Sequence, residues 1–481
     1  MKEIDILLIN PNMLNPPVTP VGLDCLGSFL KKRGFQVELV DLNLLENKKS
    51  LENDKSWQAV LKEYFSNTKP HLIGVSVRNI DDSSFHSSRF ILKDTNKIIQ
   101  YIRSQSSSPV VVGGVGYSIF PESALQYLDV DYGIAGDGEE PLFRLIQAIK
   151  KGDEQPEIPG LYIKKGEKVI SNKPYYDEIP SILPRPRTFV DNLSYLEMGA
   201  QVGLETKRGC NGTCIYCADP VAKGKKIRLK NPDMVVKEIE SLVLQGITCF
   251  HTCDSEFNRP ISHSIDVCDA IIASGWNKDI KIYTYCSPVP FTAELGEKMK
   301  KAGVKGINFG ADHLVDSLLM SYGRDHTAKD LEKVTEIAKN CGMSVMYDLL
   351  LCGPEETEET LKLVIKKAKT TKADSIGISM GIRLYPDTPL WNSLKKDDYR
   401  FIPGKPRNPP LEPLYFVKPE KEKAVSLLCD LIGEDRRFFF QPLGEKYNYN
   451  YADNKRLMEA IRSGARGAYW DILRKMGGIL K

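Results

Sequence analysis

Three cysteines within eight residues constrain this chain more than any other feature of its sequence. Cys210, Cys214 and Cys217 are spaced C-x3-C-x2-C in the stretch KRGCNGTCIYCAD. A structural zinc site is closed by four ligands, and no fourth cysteine follows at a matching spacing. A 4Fe-4S cluster bound by three cysteines leaves one iron open to an external ligand, whereas an ordinary cluster has four. The spacing favours such a cluster, with a partial zinc knuckle or three unrelated thiols as the alternatives.

The cysteine run resembles the cluster motif of radical S-adenosylmethionine (SAM) enzymes, including the aromatic Tyr216 before the last cysteine. The resemblance implies that Cys210, Cys214 and Cys217 bind a 4Fe-4S cluster whose open iron is chelated by the amino and carboxylate groups of SAM. It also implies reductive cleavage of SAM to a 5′-deoxyadenosyl radical.

Length and composition limit the other possibilities. A chain of 481 residues is long enough for two or three domains. Its net charge of +3 gives no strong field for nucleic acid or an acidic membrane as the main partner. We expect no membrane span, because no run of about 20 apolar residues occurs. Eleven cysteines without a signal-like segment predict a cytoplasmic protein with reduced thiols, in an anaerobic or strongly reducing setting.

The first 150 residues alternate short apolar runs with helical segments. Such runs, rich in β-branched residues, predict buried parallel strands at 4–10, 35–41, 72–77, 110–114 and 132–136. The alternation predicts an α/β domain, a Rossmann-like doubly wound parallel sheet. Ligands of such sheets bind beyond the carboxyl ends of the strands.

Glycine-rich segments follow the fourth and fifth predicted strands. Together with the Pro-x-Gly-Leu opening, they resemble the cobalamin-binding domain that precedes many radical SAM barrels. For each glycine pair alone, capping of a strand is an equal alternative. The resemblance implies bound cobalamin, with these contact residues: Pro20, Gly22, Leu23, Ser76, Arg78, Gly113, Gly114, Gly136, Asp137, Gly138 and Glu139.

The chain departs from the cobalamin-binding pattern in one respect. The Asp-x-His-x-x-Gly signature, whose histidine ligates cobalt in methionine-synthase-like proteins, is absent. Arg78 follows the third predicted strand and is a candidate to lie beneath the cobalt, because a guanidinium stays charged and is a poor ligand. The alternative for Arg78 is an ion pair with Asp81 or Asp82.

Residues 151–200 predict a linker with a hairpin whose turn lies near Gly166, followed by an extended proline-rich segment at 180–186. Residues 201–392 again alternate strands and helices. The predicted strands at 248–253, 280–286, 306–312, 344–351 and 375–380, with one before the cysteines, resemble the partial (β/α)6 TIM-like barrel of radical SAM enzymes. Functional residues of β/α barrels lie at the carboxyl ends of strands.

The resemblance also implies a SAM site at those strand ends. Glu256 is the main candidate for the SAM amino group, with help from Asp254, because carboxylates pair with ammonium. Capping of a helix is the alternative for Asp254, and a salt bridge at a helix end is the alternative for Arg324. The full set of predicted SAM contacts is Tyr216, Asp254, Glu256, Asn258, Gly310, Asp312, Arg324, Arg383 and Tyr385.

Cys253, Cys286 and Cys352 also fall at predicted strand ends. They are candidates for a second cluster or a thiol near the substrate. Packing as small apolar residues is favoured, because free cysteine is common in cores.

Residues 393–481 begin with a proline-rich loop at 403–410 and predict a small, mostly helical C-terminal domain with helices near 419–432 and 453–476. Its position matches the domain that closes the barrel mouth in the resembled family. Tyr447 and Tyr449 are candidate catalytic residues that orient the substrate or relay hydrogen, with ordinary packing as the alternative.

A radical-forming barrel joined to a cobalamin domain implies a C-methyltransferase that acts on an unactivated carbon. In the resembled family the radical abstracts a substrate hydrogen, and methylcobalamin, charged from a second SAM, delivers the methyl group. The substrate is expected to be a small molecule or a peptide or protein side chain, such as a glutamine of methyl-coenzyme M reductase. Flavodoxin or ferredoxin is the expected electron donor. The alternatives are a cobalamin-dependent cyclase or ring-rearrangement enzyme, and a non-catalytic cobalamin or redox sensor.

Overall fold

The computed structural model describes residues 1–45, 56–153, 155–176, 186–394, 410–418, 421–440 and 454–477. Two seven-stranded sheets organise these residues, one in the first third of the chain and one in the rest. No helix among the described residues combines the length and the apolar character needed to cross a membrane.

The first sheet is built from the apolar runs that the sequence predicts, and in β1 seven consecutive residues are buried. Its strands are β1 (Lys2–Asn10), β2 (Val37–Asp41), β3 (Thr68–Ser76), β4 (Val110–Gly113), β5 (Tyr132–Ile134), β6 (Leu161–Lys165) and β7 (Lys168–Ser171). Its helices are α1 (Val21–Lys32), α2 (Ser56–Asn67), α3 (Leu92–Gln105), α4 (Val115–Ile119), α5 (Pro121–Leu128) and α6 (Glu139–Lys150). The predicted doubly wound fold is therefore confirmed.

The strand order of this sheet is β2-β1-β3-β4-β5-β6-β7, and its first five strands are parallel. The order reverses between β1 and β3, so the crevice for a ligand lies beyond Asn10 and Ser76. The predicted hairpin forms as β6 and β7, but it pairs antiparallel with β5 and extends the first sheet. Much of the predicted proline-rich segment at 180–186 and most of the one at 403–410 lie outside the described residues.

The second sheet is the predicted partial barrel. Its elements before the middle of the barrel are α7 (Asn192–Glu197), β8 (Val202–Leu204), β9 (Lys207–Arg208), α8 (Asp219–Lys223), β10 (Arg228–Leu229), α9 (Pro232–Val243), β11 (Cys249–Thr252), α10 (Ile261–Ser274), β12 (Lys281–Cys286) and α11 (Ala293–Lys301). Those that follow are β13 (Val304–Asp312), α12 (Asp316–Ser321), α13 (Ala328–Asn340), β14 (Ser344–Leu351), α14 (Glu358–Thr370), β15 (Ser375–Met380), β16 (Ile382–Arg383) and α15 (Pro389–Ser393).

The C-terminal segment adds β17 (Tyr415–Phe416), α16 (Lys421–Ile432), β18 (Phe438–Phe439), α17 (Lys455–Arg462) and α18 (Tyr469–Lys475). The helices agree with the prediction for this part of the chain. The two-residue strand β18 was not predicted, and it extends the barrel sheet beside β15, giving the order β18-β15-β14-β13-β12-β11-β8.

Side-chain contacts show which strand residues face outward from the barrel. Thr252 and Thr284 hydrogen-bond each other beside α10, and Tyr347 reaches Thr335 on α13. Because side chains alternate along a strand, the neighbouring positions His251, Tyr283, Tyr285, Asn308 and Asp348 face the lumen.

Helix α18 fills the amino-terminal end of this lumen. The Trp470 ring packs edge-on against Tyr283 at 6.3 Å, and a side chain at Gly306 would meet both rings. The Tyr283 hydroxyl donates to Asp471 at 2.8 Å. The C-terminal segment therefore closes the amino-terminal end of the lumen. The carboxyl-terminal end of the lumen lies toward the first domain.

A buried ionic network fastens the two domains. Asp24 on α1 accepts hydrogen bonds from the Arg187 side chain (2.6 Å) and from the backbone of Phe189 and Val190. Arg187, which is fully buried, also donates to the Gly203 carbonyl on β8 and lies 3.8 Å from Glu238 on α9. One guanidinium therefore joins the first domain, the connecting segment and the barrel.

Candidate functional site

The cysteine loop lies between β9 and α8, at the carboxyl end of the first barrel strand. It begins after an antiparallel pair, β9 and β10, in which Arg208 faces Arg228. Gly209 has a φ of +87°, and a Cβ there would come within 2.1 Å of the Lys226 carbonyl oxygen. The position requires glycine, which turns the chain out of β9 and into the loop.

Each of the three loop sulfurs accepts one N–H. The Gly212 amide donates to Cys210 Sγ (3.4 Å), the Asp219 amide to Cys217 Sγ (3.5 Å) and Arg324 Nη1 to Cys214 Sγ (3.0 Å). Hydrogen bonds of this kind stabilise negative charge on cluster-bound sulfur. A Cβ at Gly212 would lie 3.3 Å from the Cys210 sulfur and 3.9 Å from the Cys214 sulfur, so its absence leaves room between them.

The chemistry of these thiols fits a metal cluster. All three are free of disulfides. Burial raises the pKa of Cys214 and of Cys217. Such thiols stay protonated alone, and a metal centre is what deprotonates them. The loop therefore suits an iron–sulfur cluster better than a nucleophilic role for any one thiol.

A cavity opens beside this loop and is bordered by Cys210, Cys214, Ser255, Glu256 and Arg324. Burial raises the pKa of Glu256 to about 7, and the Arg324 charge opposes that rise. Arg324 Nη2 lies 3.8 Å from Glu256 Oε1, while Glu256 Oε2 is buried with no hydrogen-bond partner among the described residues. A carboxylate and a guanidinium thus stand together at the cysteines.

Asp312 and Tyr216 complete this side of the cavity. The Tyr216 hydroxyl donates to Asp312, and Arg324 Nε lies 3.2 Å from the same carboxylate. Gly310 is adjacent, since a Cβ there would meet Arg324 at 3.3 Å and Glu256 at 3.5 Å. The structure therefore brings together five predicted SAM residues. Arg324 lies among the acids of this cavity, whereas the alternative for it was a salt bridge at a helix end.

Two other predicted SAM residues point away from the cavity. Asp254 accepts hydrogen bonds from the Thr206 amide, the Thr206 hydroxyl and the Lys207 amide at 2.9, 2.6 and 3.1 Å. Asn258 accepts from the Ser287 amide and donates to its carbonyl. Both side chains fix loops at the barrel mouth. The alternative for Asp254, a helix cap, also differs from these contacts.

Arg383 and Tyr385 lie where the last barrel strand meets the first domain. Arg383 Nε donates to Asp81 at 2.9 Å, with both side chains buried, and its guanidinium stacks 5.2 Å from the Tyr385 ring. The Tyr385 hydroxyl lies 3.1 Å from Ser83 Oγ. Arg383 therefore holds the loop after β3, and its role toward SAM stays a prediction.

The glycines at the carboxyl edge of the first sheet have two kinds of surroundings. A Cβ at Gly114 would lie 2.8 Å from the Val77 carbonyl oxygen, and one at Gly136 would lie 2.1 Å from that of Tyr175. Packing against protein backbone thus accounts for glycine at both positions. Gly22 has no atom within 4 Å of a Cβ position, and Gly138 has only a Leu26 methyl at 4.0 Å. These two leave open space at the crevice and fit a large ligand.

The carboxylates predicted to contact cobalamin face barrel arginines. Glu139 binds Arg208 through two hydrogen bonds of 2.7 and 3.1 Å. Asp137 pairs with Arg228, and burial raises the pKa of Asp137 while Arg208 opposes that rise. These pairs join the loop after β5 to the strands that carry the cysteine loop.

Arg78 is exposed between the two domains. Its Nη1 donates to Asn79 Oδ1 at 2.7 Å, and the alternative of an ion pair with Asp81 or Asp82 is not seen among the described residues. Burial raises the pKa of Cys253 to about 11 and raises that of Tyr469, and the nearby Arg78 charge opposes both changes. Arg78 therefore lies near Cys253 at the end of β11 and near Tyr469, and its place beneath the cobalt stays a prediction.

Of the three other cysteines at predicted strand ends, two pack in the core as the sequence favours, and one does not. Cys286 and Cys352 are fully buried, whereas Cys253 is exposed at the end of β11. Tyr447 and Tyr449, the predicted catalytic residues, lie outside the described residues.

Sequence reasoning missed His251. Its Nδ1 lies 2.7 Å from the Thr252 carbonyl oxygen, and an oxygen there accepts only, so Nδ1 carries the proton. Burial lowers the pKa of His251 to about 4. Nε2 is therefore an acceptor in the lumen, next to the Tyr285 ring at 5.1 Å. A single histidine within an apolar strand carries no signal that distinguishes this position.

Two family models match separate parts of the chain. The Radical SAM superfamily matches residues 204–368, which include the cysteine loop, Glu256 and Arg324. The B12 binding domain matches residues 14–146, which include the crevice at Gly22, Arg78 and Gly138. The fold and the two implied cofactor regions agree with these matches.

Curated relatives and solved structures extend the similarity to nearly the whole chain. Over 510 aligned positions the chain is 29% identical to the tryptophan 2-C-methyltransferase of Streptomyces laurentii, covering 92% of this chain and 83% of that protein. It is 21% identical to the hopanoid C-3 methylase of Methylococcus capsulatus, covering 80% and 71%.

Two structures of the radical SAM methyltransferase TsrM from Kitasatospora setae superpose over 99% of this chain. The first, with tryptophan and a SAM analogue bound, has a TM-score of 0.87 at 29% identity and is covered over 99% of its length. The second, with cobalamin and a 4Fe-4S cluster bound, has a TM-score of 0.84 at 28% identity and is covered over 98%.

Proposed function

We propose that this chain, which belongs to the cobalamin-dependent radical SAM enzymes, transfers a methyl group from SAM to a carbon atom of a small aromatic substrate. One observation carries the proposal: the Arg208–Glu139 pair joins the strand before the cysteine loop to the segment after β5 at the carboxyl edge of the first sheet. When bound, cobalamin supplies a methyl carrier, and the cluster supplies electrons and an open iron that binds SAM.

The residues at the cysteine loop are suited to bind the amino-acid end of SAM. Glu256 is the carboxylate for the SAM ammonium group, because its Oε2 is buried without a partner among the described residues. Arg324 is the cation for the SAM carboxylate, and its present contacts with Cys214 and Asp312 fix its orientation. Tyr216 and Gly310 shape the same wall. A flavodoxin or ferredoxin as reductant and a cytoplasmic location stay predictions.

The proposed substrate is tryptophan or a related indole. The tryptophan methyltransferase relative and the tryptophan-bound TsrM structure support it, because both similarities span most of the chain. The lumen also offers aromatic surface at Tyr285 and an acceptor at His251 Nε2 for a ring N–H. A glutamine of methyl-coenzyme M reductase finds no comparable support among these relatives, so the substrate proposed here is the indole.

The test uses protein isolated without oxygen and loaded with cobalamin and iron–sulfur cluster. It is incubated with SAM labelled in its methyl group and with L-tryptophan, and products are analysed by mass spectrometry. The proposal predicts a product heavier by one methylene group that carries the label. Protein that methylates its cobalamin from SAM but leaves tryptophan and other indoles unchanged contradicts the substrate; protein that binds no cobalamin contradicts the activity itself.

A further inference from the structure

The three sulfurs of the cysteine loop receive unequal hydrogen bonds. Cys210 and Cys217 accept from backbone amides at 3.4 and 3.5 Å, whereas Cys214 accepts from the side chain of Arg324 at 3.0 Å. Within the part of the chain that the structure describes, Arg324 is the one charged side chain that hydrogen-bonds a loop sulfur. A charged donor makes a hydrogen bond about twice as strong as a neutral one does. The surroundings of the loop therefore favour negative charge most strongly at Cys214.

Backbone contacts place Arg324 against the cysteine loop. The Ile215 amide donates to the Tyr322 carbonyl at 3.0 Å, and the Thr213 hydroxyl donates to the Gly323 carbonyl at 2.8 Å. A Cβ at Gly323 would come within 2.4 Å of the Thr213 carbonyl oxygen, so the two segments approach closely. These bonds lie on either side of the middle cysteine and lead directly into Arg324, which fixes where its side chain begins.

The guanidinium itself is held on its other edges. Arg324 Nη2 donates to the Gly310 carbonyl at 2.7 Å, and Nε lies 3.2 Å from Asp312 Oδ2. Asp312 in turn accepts from the Tyr216 hydroxyl. The Arg324 side chain is only 8% exposed, so water screens its charge poorly. Because each terminal nitrogen carries two N–H groups, Arg324 can bond the sulfur and still meet the SAM carboxylate.

We infer that Arg324 sets the reduction potential of the bound cluster through its N–H···S hydrogen bond to Cys214. Reduction transfers one electron from an external one-electron donor to the cluster and needs no proton, so the negative charge on the cluster and its sulfurs grows by one. A fixed cationic donor at a ligand sulfur stabilises that charge and raises the potential. The inference goes beyond the proposed function, because it concerns the cluster whichever substrate is methylated.

The experiment titrates cobalamin- and cluster-loaded protein with a chemical reductant, without oxygen and without SAM, and follows the reduced cluster by low-temperature electron paramagnetic resonance. Arg324→Gln removes the charge and keeps a polar side chain. We expect the equilibrium constant for one-electron reduction to fall by at least about 10-fold, a shift of about 59 mV to more negative potential. Omitting SAM separates this effect from the proposed contact between Arg324 and the SAM carboxylate.

Arg259→Gln is the matched control. Arg259 borders the same cavity and pairs with the exposed Asp325, and no hydrogen bond among the described residues joins it to a sulfur. The substitution therefore removes one positive charge from the cavity and leaves the N–H···S bond in place. We expect less than about half of the shift seen in Arg324→Gln, because a partly exposed charge is screened.

A second measurement needs no substitution. In protein labelled with arginine that carries the heavy nitrogen isotope, pulsed electron paramagnetic resonance of the reduced cluster is expected to show a hyperfine coupling to that isotope, because Nη1 is bonded directly to a ligand sulfur. Arg259→Gln keeps this coupling. If Arg324→Gln binds no cluster, the coupling in the unsubstituted protein decides the inference.

Three outcomes overturn the inference: an unchanged potential in Arg324→Gln, an equal shift in Arg259→Gln, and the absence of any arginine coupling in the unsubstituted protein. The second outcome assigns the effect to the total charge of the cavity rather than to the hydrogen bond. All three leave the proposed methyl transfer intact. Protein that binds no iron contradicts the cluster itself, and with it both this inference and the proposed function.

Discussion

Arg208 and Glu139 form a two-pronged ion pair across the domain boundary, with N–O distances of 2.7 and 3.1 Å. Arg208 lies two residues before Cys210, and Glu139 begins α6, which follows the glycine segment of the first domain. The pair therefore couples the position of the cysteine loop to the crevice of the first sheet.

Removal of one partner of this pair is expected to destabilise the protein. Glu139→Gln leaves the Arg208 guanidinium with a weaker acceptor in a mostly buried site, and we expect a loss of about 2–4 kcal/mol in the free energy of unfolding. Urea denaturation compares the variant with Glu140→Gln, the adjacent residue whose partner Arg144 is on the surface. Equal midpoints for the two variants contradict the coupling.

Alanine at Cys210, Cys214 or Cys217 is expected to abolish cluster binding and SAM cleavage, because each removes one of three ligands. Cobalamin binding is expected to persist, since its crevice lies on the first sheet. Iron and cobalt contents of the purified proteins measure both. Cys253→Ala is the control that keeps its iron; iron loss there, matching that of the loop variants, makes Cys253 a ligand.

Glu256→Gln is expected to weaken SAM binding by about 10- to 100-fold while iron content stays unchanged, because it removes the charge opposite the SAM ammonium. Equilibrium binding of SAM to cluster-loaded protein measures the effect. Asp325→Asn, at the exposed rim of the same cavity, is the control. Unchanged affinity in Glu256→Gln excludes Glu256 from the SAM site.

Arg78→His tests the position of this side chain beneath the cobalt. A histidine there is a competent ligand, whereas a guanidinium is not. We expect the absorption spectrum of bound cobalamin to change to that of a histidine-ligated corrinoid in this variant only. Arg89→His, in the same loop but paired with Asp94 on the surface, keeps the original spectrum. An unchanged Arg78→His spectrum places Arg78 elsewhere.

The buried His251 ring is expected to lower the free energy of unfolding in acid. Burial lowers its pKa from 6.5 to about 4, so the unfolded chain takes up this proton before the folded protein does. Stability due to His251 is complete above pH 6.5 and falls as pH drops toward 4, by up to about 3 kcal/mol. His251→Gln is expected to flatten the curve of unfolding free energy between these pH values.

The flattening is partial, because burial lowers the pKa of His326 and His263 as well. If the unfolding free energy of His251→Gln depends on pH in the same way as that of the unsubstituted protein, the His251 ring has the same protonation in the folded and unfolded states.

The sequence predicts most strands here because the parallel strands are buried on both faces and appear as continuous apolar runs, as in β1 and β3. The two-residue β18 is too short for any periodicity, and its pairing depends on β15 far earlier in the chain. The hairpin β6–β7 is a local signal, but its place in the first sheet depends on β5.

Side-chain roles were less predictable where partners are distant in sequence. The segment 254–258 contains two acids, and only the fold turns Asp254 to Thr206 and leaves Glu256 at the cavity. Glu139 follows glycines that suit a cofactor, yet its partner Arg208 comes 69 residues later. The residue type indicates what chemistry each position can perform, but the role of each side chain depends on neighbours that only the folded structure brings together.

The buried ionic network at the domain boundary restricts when the cofactor can enter the protein. It consists of Arg187, Asp24 and Glu238. All three side chains are inside the interdomain contact, and swinging the domains apart strips these charges of their partners, at several kcal/mol for each. A group as large as a corrin therefore enters the crevice with difficulty once the domains have packed together. We expect production without the vitamin to yield a chain that accepts it poorly later, and supply during synthesis to yield the loaded form.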